Sequence, residues 1–406
     1  MKALTWTGVN QLSVEQVADP EILNPNDVII KVTLTVPCGS DIHLLSGYVP
    51  SMAKGDIIGH EFMGEVVETG PSVKKHKKGD RVVVTSIVGC GECFFCKHEE
   101  WSLCNNTNPN AGIVEAFYGH SPAGIFGYSH AFGGYAGSHA EYVRVPFADR
   151  GAFQIPDALS NEQAVFVSAA FATGFMAADM CTIQPGDIVA IWGCGGVGQM
   201  AIRSAYLLGA ERVIAIDRFA DRLAMASSKG GAETLNYKDV NVLEALREMT
   251  GGRGPDACID AVGMEAHGYG PGYWYDRTKQ ALRMETGRSQ VLREMIIACR
   301  KGGTLSIVGV YGGLLDKFPM GPLMNKALTV RTGQQHGQRY AERLLGYIEK
   351  GEVDPSYLIT HRCDLDGGPE AYKIFRDKTD GCMRPVFYPH GAPDGLGSFA
   401  PKVQVQ

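Results

Sequence analysis

The chain has 406 residues, of which 45% are hydrophobic and 20% are charged, an ordinary composition for a globular protein of two or three domains. A formal net charge of -6 argues against a dedicated nucleic-acid-binding protein, which would usually be basic. The first residues lack the apolar core of a secretion signal, and no apolar run is long enough to cross a membrane. We therefore expect a cytoplasmic protein with neither nucleic-acid nor membrane partners.

The first 150 residues favour β-structure with long loops. Short β-branched runs bounded by Pro, Asn, Gly and Asp predict strands at 28–34, 65–68, 80–84 and 141–146. Between 105 and 140 the chain is rich in Gly, Asn, Ser and aromatic residues, which is typical of loops.

The pattern changes near residue 160. An apolar, Ala-rich stretch predicts a helix at 161–180, and another helix is predicted at 199–208. Strands are predicted at 187–192, 212–217, 257–260 and 303–308. This alternation indicates βαβ units and a parallel sheet. An aromatic, Gly-rich insertion at 264–293 interrupts it, and we expect a lid over the cofactor or an interface there.

Four of the eleven cysteines, Cys90, Cys93, Cys96 and Cys104, have the spacing C-x2-C-x2-C-x7-C. Four thiolates in one loop predict a closed tetrahedral zinc site that braces the loop. An iron–sulfur cluster would use the same ligands, although no Pro follows the last Cys as in bacterial ferredoxins. A redox sensor and a set of unrelated thiols are two further interpretations of this spacing.

A dinucleotide-binding loop is predicted at 193–198. The motif G-x-G-x-x-G follows a predicted strand and opens a predicted helix, the context in which it binds a pyrophosphate. Its candidate contacts are Gly193, Gly195, Gly196, Val197 and Gly198.

Asp217 ends the next predicted strand, where a carboxylate binds the ribose hydroxyl of NAD and repels the additional phosphate of NADP. The adjacent Arg218 weakens this preference for NAD. Arg222 and Val262 complete the candidate cofactor-binding residues.

Two further motifs, Cys38-Gly39-Ser40-Asp41-Ile42-His43 and Gly59-His60-Glu61, lie in the β-rich part. With the cysteine loop and the glycine loop in this order, the chain resembles the zinc-containing medium-chain alcohol dehydrogenases up to about residue 390. Within that family it is most similar to the glutathione-independent formaldehyde dehydrogenase and formaldehyde dismutase branch. That similarity lies in the ECFFCK segment at 92–97, the 264–293 insertion, and the segments 309–313 and 317–319.

The resemblance implies an α/β fold with a doubly wound Rossmann sheet and a GroES-like catalytic domain that carries a structural zinc lobe. The implied domains are the catalytic domain at 1–168, the NAD-binding domain at 169–333, and a return to the catalytic domain at 334–406. A small alcohol or aldehyde is the implied substrate, and family members are commonly homodimers or homotetramers.

The resemblance also assigns site residues. Cys38 and His60 match the first two catalytic zinc ligands, and Glu61 matches a carboxylate that can approach the metal. Ser40 and His43 match positions that relay the substrate's proton to solvent. In such a site the zinc ion lowers the pKa of the alcohol, which then gives a hydride to the nicotinamide.

The chain departs from the family at the third zinc ligand, where Ala169 replaces a Cys or Asp. Three explanations are open. Glu61 substitutes as the ligand, the catalytic zinc is lost or only partly bound, or the exchange was made by design to disable the site.

We expect NAD-linked interconversion of an alcohol and an aldehyde, or oxidation of an aldehyde hydrate. One variant is aldehyde dismutation with a retained NAD. The rivals are a zinc-independent reductase and a non-enzymatic nucleotide-sensing protein.

Overall fold

The computed structural model of the chain describes residues 1–265, 290–313, 315, 317–391 and 400–401. Most of the insertion predicted at 264–293 lies outside the described residues, so its role as a lid or interface stays a prediction. None of the helices in the described part of the chain has the length and apolar character that a membrane crossing requires.

The strands are short and distributed over the whole chain. They are β1 Lys2–Gly8, β2 Gln11–Gln16, β3 Val28–Val36, β4 Asp56–Ile57, β5 Glu61–Thr69, β6 Arg81–Val84, β7 Ile87–Val88, β8 Gly124–Ile125, β9 Tyr142–Val145, β10 Ala152–Gln154, β11 Ile188–Trp192, β12 Arg212–Asp217, β13 Glu233–Asn236, β14 Ala257–Asp260, β15 Thr304–Ile307, β16 Thr329–Thr332, β17 Ile359–Cys363, β18 Arg384–Phe387 and β19 Ala400–Pro401.

The α-helices are α1 Gly39–Leu45, α2 Phe94–Lys97, α3 Ala111–Tyr118, α4 Ala148–Gly151, α5 Asn161–Ala164, α6 Ala170–Asp179, α7 Gly196–Leu207, α8 Ala220–Ser228, α9 Val242–Met249, α10 Gln290–Ala298, α11 Met320–Asn325, α12 Gly337–Glu349 and α13 Gly368–Asp377. Short 3-10 helices occupy Trp101–Leu103, His130–Phe132, Val165–Ser168, Gly263–Glu265 and Pro355–Leu358.

The chain forms two compact units, one of residues 1–172 and 335–406 and the other of residues 173–334. The second unit is built on a six-stranded sheet in the order β13-β12-β11-β14-β15-β16, and its neighbouring strands are parallel. Counted from β11 this is the order 3-2-1-4-5-6 of a doubly wound dinucleotide-binding sheet. The predicted parallel sheet is therefore confirmed.

Helices cover both faces of this sheet, which explains why every residue of β11 is buried. Val189 and Ile191 pack with α7 and α8 on one face, whereas Ala190 and Trp192 pack with α9 and α10 on the other. Because successive side chains of a strand point to opposite faces, β11 contributes to two separate hydrophobic cores.

The first unit centres on the antiparallel pair β3 and β5 in an eight-stranded sheet. The register places Val36 at the end of β3 opposite Glu61 at the start of β5. Cys38 follows β3 and His60 precedes β5, so the strand pairing brings these two residues to the same end of the sheet.

The helix predicted at 161–180 is wrong as a single element. It is divided into α5, the 3-10 helix Val165–Ser168 and α6, with Ala169 at φ -148° and ψ -59° between the last two. The Ser168 hydroxyl accepts from the Phe62 backbone N–H at 3.1 Å and donates to the Val84 carbonyl. These bonds to two neighbouring strands hold the chain out of a continuous helix.

Candidate active site

The four-cysteine loop is compact. Cys93 caps the start of α2, Cys96 lies in α2, and Cys104 follows the next 3-10 helix. The four sulfur atoms lie within 4.8 Å of one another, with 3.9 Å between Cys90 and Cys96 and between Cys93 and Cys104. The loop thus gathers the four thiols that the sequence predicts as a structural zinc site.

This donor set fits zinc by its chemistry. The Cys90 backbone N–H donates to the Cys104 sulfur at 3.4 Å, and the Cys93 N–H donates to the Cys90 sulfur at 3.4 Å. The hydrogen bond from the Cys96 thiol, with help from backbone amides, lowers the pKa of Cys104 and raises that of Cys96. A thiolate is the form of cysteine that binds zinc.

A second group of metal-binding side chains forms at the end of the β3–β5 pair. Ligand atoms of Cys38, His60 and Glu61 lie within 4.8 Å of one another. Cys38 is the N-cap residue of α1 and is half-buried, while His60 and Glu61 are buried. The structure therefore brings together three of the residues predicted for the catalytic metal.

Asp41 orients both Cys38 and His60. Its Oδ2 accepts a hydrogen bond from the Cys38 backbone N–H at 2.8 Å, and its Oδ1 lies 3.1 Å from His60 Nδ1. Burial opposes charge on either partner, yet their mutual attraction lowers the pKa of Asp41 and raises the pKa of His60. Because Nδ1 faces Asp41, Nε2 is the ring nitrogen left for a metal.

Glu61 is fully buried, and neither of its carboxylate oxygens makes a hydrogen bond among the described residues. The charge of this carboxylate is balanced by Arg384, whose guanidinium lies 3.1 Å from Glu61 Oε1. Arg384 is itself buried and donates to the Pro37 carbonyl. A buried carboxylate beside a thiol and an imidazole is a chemically suitable zinc ligand.

Ala169 offers no ligand atom, and its side chain is buried. The residue before it, Ser168, bonds to Phe62 N and lies 3.4 Å from the His60 carbonyl. The segment that carries Ala169 is therefore fixed against the strand that carries His60 and Glu61.

The two residues of the predicted proton relay both lie on α1. Ser40 Oγ is 3.2 Å from His60 Nε2, which places its hydroxyl at the nitrogen left for a metal. His43 is buried one turn further along the helix.

The glycine loop of the second unit follows β11 as predicted. Gly193 has φ +93°, and a Cβ at Gly198 would lie 1.8 Å from the Gly193 carbonyl oxygen. A Cβ at Gly193 would lie 2.7 Å from Val262. Gly195 is the N-cap of α7, which begins at Gly196 and continues through Val197. Only glycine fits these close approaches, and the helix N-terminus favours a pyrophosphate.

Asp217 stands at the end of β12 and is buried. Its Oδ2 accepts from the Cys194 backbone N–H at 2.8 Å, and its Oδ1 accepts from the Arg218 N–H at 2.6 Å. The guanidinium groups of Arg218 and Arg222 lie over the Phe219 ring, at 4.7 and 5.1 Å from its centre. One carboxylate and two guanidinium groups thus lie close together beyond the glycine loop.

Comparison with known proteins agrees with this geometry. The family model of the alcohol dehydrogenase GroES-like domain matches residues 24–157, and that of the zinc-binding dehydrogenases matches residues 196–267. A zinc-type alcohol dehydrogenase-like protein of Bacillus subtilis is 40% identical over 392 residues, covering 96% of this chain and 100% of the relative. The chain belongs to the zinc-type alcohol dehydrogenase family.

Other relatives place this dehydrogenase in the same family. A glutathione-independent formaldehyde dehydrogenase of Bacillus subtilis is 33% identical, covering 96% of this chain and 97% of the relative. Among solved structures, an alcohol dehydrogenase from a Thermus species has a TM-score of 0.80 at 30% identity, covering 96% of this chain and 99% of that one. The predicted family, the predicted Rossmann and GroES-like fold, and the expectation of an oxidoreductase are confirmed.

Four residues of this dehydrogenase that the sequence motifs do not indicate lie at or behind the predicted catalytic site. They are Asp41, His139, Tyr372 and Arg384. Asp41 carried a local signal, because an acidic residue at the third position of a helix often reaches back to the cap, as it does here at Cys38. Tyr372 and Arg384 carried none, since they are more than 300 residues from Cys38 along the chain.

Proposed function

We propose that this dehydrogenase interconverts an alcohol and an aldehyde, or oxidises an aldehyde hydrate, with NAD and with a zinc ion held by Cys38, His60 and Glu61. The convergence of these three ligand atoms within 4.8 Å carries the proposal, since it supplies three protein ligands without residue 169. Catalytic zinc sites usually have three protein ligands and an open position. Of the three explanations for Ala169, this geometry favours substitution by Glu61.

A bound zinc ion would supply a Lewis acid that polarises the substrate oxygen and lowers the pKa of an alcohol. Cys38 and Glu61 would balance the charge of the ion, and Asp41 would hold the His60 ring with Nε2 toward it. Ser40 would take the substrate's proton, and His43 would pass it on.

NAD is the proposed cofactor because the carboxylate of Asp217 ends the second strand of the sheet, where it would repel a ribose phosphate. The family as a whole uses nicotinamide cofactors. Arg218 and Arg222 weaken this discrimination between NAD and NADP, because their positive charges offset the repulsion by Asp217. Both guanidinium groups lie over the ring of Phe219, two residues beyond Asp217.

Aldehyde dismutation with a retained NAD is a second candidate. The specific observation in its favour is the 33% identity to a glutathione-independent formaldehyde dehydrogenase. The insertion that would retain the cofactor lies mostly outside the described residues. A zinc-independent reductase gains support only from Ala169, and the retained Cys38, His60 and Glu61 oppose it.

A homo-oligomer formed through the second unit is also part of the proposal. β16 is the edge strand of the six-stranded sheet, and all four of its residues are exposed. Val330 on this strand is 40% exposed, and Met320 and Met324 on the preceding helix α11 are 58% and 67% exposed. An exposed edge strand with apolar neighbours is a suitable surface for a second copy.

The cytoplasmic location expected from the sequence stays a prediction.

Metal content per chain tests the proposal most directly, measured on the parent, Glu61→Gln and Ala169→Asp. We expect two zinc ions in the parent and one in Glu61→Gln. Removing a direct ligand should weaken the second site by at least about 100-fold, the upper range for loss of a supporting residue. Activity with alcohol and NAD should fall in parallel.

Glu65→Gln is the matched control, because Glu65 lies on the same strand with an exposed side chain and should retain both ions. Ala169→Asp should retain two ions and bind the second more tightly. A parent with one zinc that gains a second only in Ala169→Asp would contradict the role of Glu61 and indicate a disabled site.

A further inference from the structure

A row of buried hydrogen-bonding side chains extends from the Nδ1 side of His60. Beyond Asp41, the Tyr372 hydroxyl donates to Asp41 Oδ2 at 3.0 Å. The same hydroxyl lies 2.8 Å from His139 Nε2, and His139 Nδ1 lies 2.8 Å from Thr35 Oγ1. All of these residues are buried.

The protons in this row can be assigned from its chemistry. Asp41 acts as an acceptor, because Cys38 N–H and Tyr372 both point at Oδ2. The single tyrosine proton therefore goes to Asp41, and His139 must donate its Nε2–H to the tyrosine oxygen. His139 Nδ1 is then the acceptor for the Thr35 hydroxyl. The Tyr372 and His139 protons thus point toward Asp41, whose Oδ1 lies 3.1 Å from His60 Nδ1.

His139 is built into this position as a neutral ring. Burial lowers the pKa of His139 to about 3. Its ring lies edge-on to Phe387 at 5.0 Å between centres, and a Cβ at Gly59 would lie 2.4 Å from Nδ1. The glycine that precedes His60 thus leaves space for the His139 ring, at a φ of +97° that glycine tolerates.

The far end of the row reaches the other proposed ligand. Thr35 Oγ1 lies 3.1 Å from the Glu61 carbonyl oxygen and 2.8 Å from Ser138 Oγ. Because Thr35 has one hydroxyl proton, which this assignment gives to His139 Nδ1, the row ends beside the Glu61 backbone.

We propose that Tyr372 and His139 are positioning residues for the catalytic metal, which fix the tautomer and the ring orientation of His60 through Asp41. This inference rests on the proposed function, because it assumes that His60 binds the metal through Nε2. Partners of this kind usually change metal affinity by about 10–100-fold when removed.

The experiment compares Tyr372→Phe with Tyr206→Phe in the full chain. Each exchange removes one hydroxyl, and Tyr206 donates to the Gly231 carbonyl at 2.8 Å in the other unit. Zinc affinity of the second site is measured by chelator competition, with the four-cysteine site as an internal standard. We expect Tyr372→Phe to weaken the second site by about 10–100-fold and Tyr206→Phe to leave it unchanged.

A second readout needs no metal. In protein with nitrogen-15-labelled histidine, His139 should be neutral with its proton on Nε2 in the parent and in Tyr206→Phe. In Tyr372→Phe the Nε2–H loses its acceptor, so its resonance should shift. Thr35→Val should weaken metal binding less, because Thr35 lies furthest from His60 in the row.

The outcomes are separable. Two zinc ions in the parent with equal affinity in Tyr372→Phe would overturn this inference and leave the proposed function intact. One zinc in the parent would overturn both. A His139 proton on Nδ1 in the parent would contradict the direction of the network and so the inference alone.

Discussion

The two groups of candidate metal ligands in the first unit are built in different ways. The four-cysteine site takes all of its ligands from one loop of the chain, at 90–104, and each ligand is a thiol. The second site takes Cys38 from the end of one strand and His60 and Glu61 from the start of another, and its support comes from Tyr372 and Arg384. A site made by one loop depends on local spacing, whereas a site made by strand pairing depends on the packed unit.

Removing the four-cysteine site should have a larger effect than any of the other changes below. Cys104→Ala takes away the most buried of the four sulfur ligands, so we expect the chain to lose that zinc and segment 90–104 to become sensitive to proteases. Structural zinc in small domains contributes about 10–16 kcal/mol of binding free energy, which is why the loop should not stay folded. Metal analysis and limited proteolysis check this.

Cys181→Ala is the control, because Cys181 is buried in a hydrophobic core of the second unit, which holds neither group of ligands. It should keep both zinc ions. Loss of the second zinc in Cys104→Ala would show that the two regions depend on each other.

Two glycine variants, for which we expect a smaller effect, test how strongly the His60 site depends on packing. Gly59→Ala and Gly55→Ala both place a side chain at positive φ, +97° and +93°. A Cβ at residue 55 meets nothing within 4 Å, but one at residue 59 would lie 2.4 Å from His139. Both should lose about 1–2 kcal/mol for the backbone conformation, and Gly59→Ala a further 1–3 kcal/mol or so for overpacking.

Urea denaturation of the two variants measures this difference in the free energy of unfolding. Equal destabilisation of the two variants would mean that the His139 ring moves aside without a penalty. The second site would then be less dependent on its packed surroundings than the contacts indicate.

The smallest effect concerns acid stability. The pKa of His139 is about 3 in the folded chain because of burial, below the value of about 6.5 of an unfolded histidine. Between these pH values the unfolded chain binds a proton that the folded chain does not, so stability falls as the pH falls. This residue should contribute a loss of about 1.0 kcal/mol between pH 6.5 and 5.5, because an unfolded histidine is already half protonated at pH 6.5.

Unfolding free energies at these two pH values, in the parent and in His139→Gln, measure this contribution. The dependence on pH should be shallower in His139→Gln. An unchanged slope would show that His139 takes up a proton in the folded chain, contrary to its place in the hydrogen-bonded row.

The parts of the fold that could be predicted from the sequence are those with local patterns. The buried runs of β11 and β12, the glycine loop and the cysteine spacing each carry their structure within a few residues. The break at Ala169 could not be predicted, because Ser168 makes its bonds to strands that lie 106 and 84 residues earlier in the chain.

The ligands of the candidate site could be predicted from the sequence, whereas the residues that hold those ligands in place could not. Cys38, His60 and Glu61 stand in recognisable motifs, and the strand register explains why they meet. His139, Tyr372 and Arg384 come from three other parts of the chain. Only the packed sheet brings them together, so no spacing along the sequence could indicate them.

The distance of Tyr372 and Arg384 from Cys38 along the chain has a consequence for biosynthesis. The four cysteines at 90–104 leave the ribosome within one short loop, and their ion can bind while the second unit is still untranslated. The His60 site lacks its tyrosine and its arginine until residues 372 and 384 have been made. The two metal positions are therefore expected to fill in a fixed order, first the cysteine loop and later the His60 site.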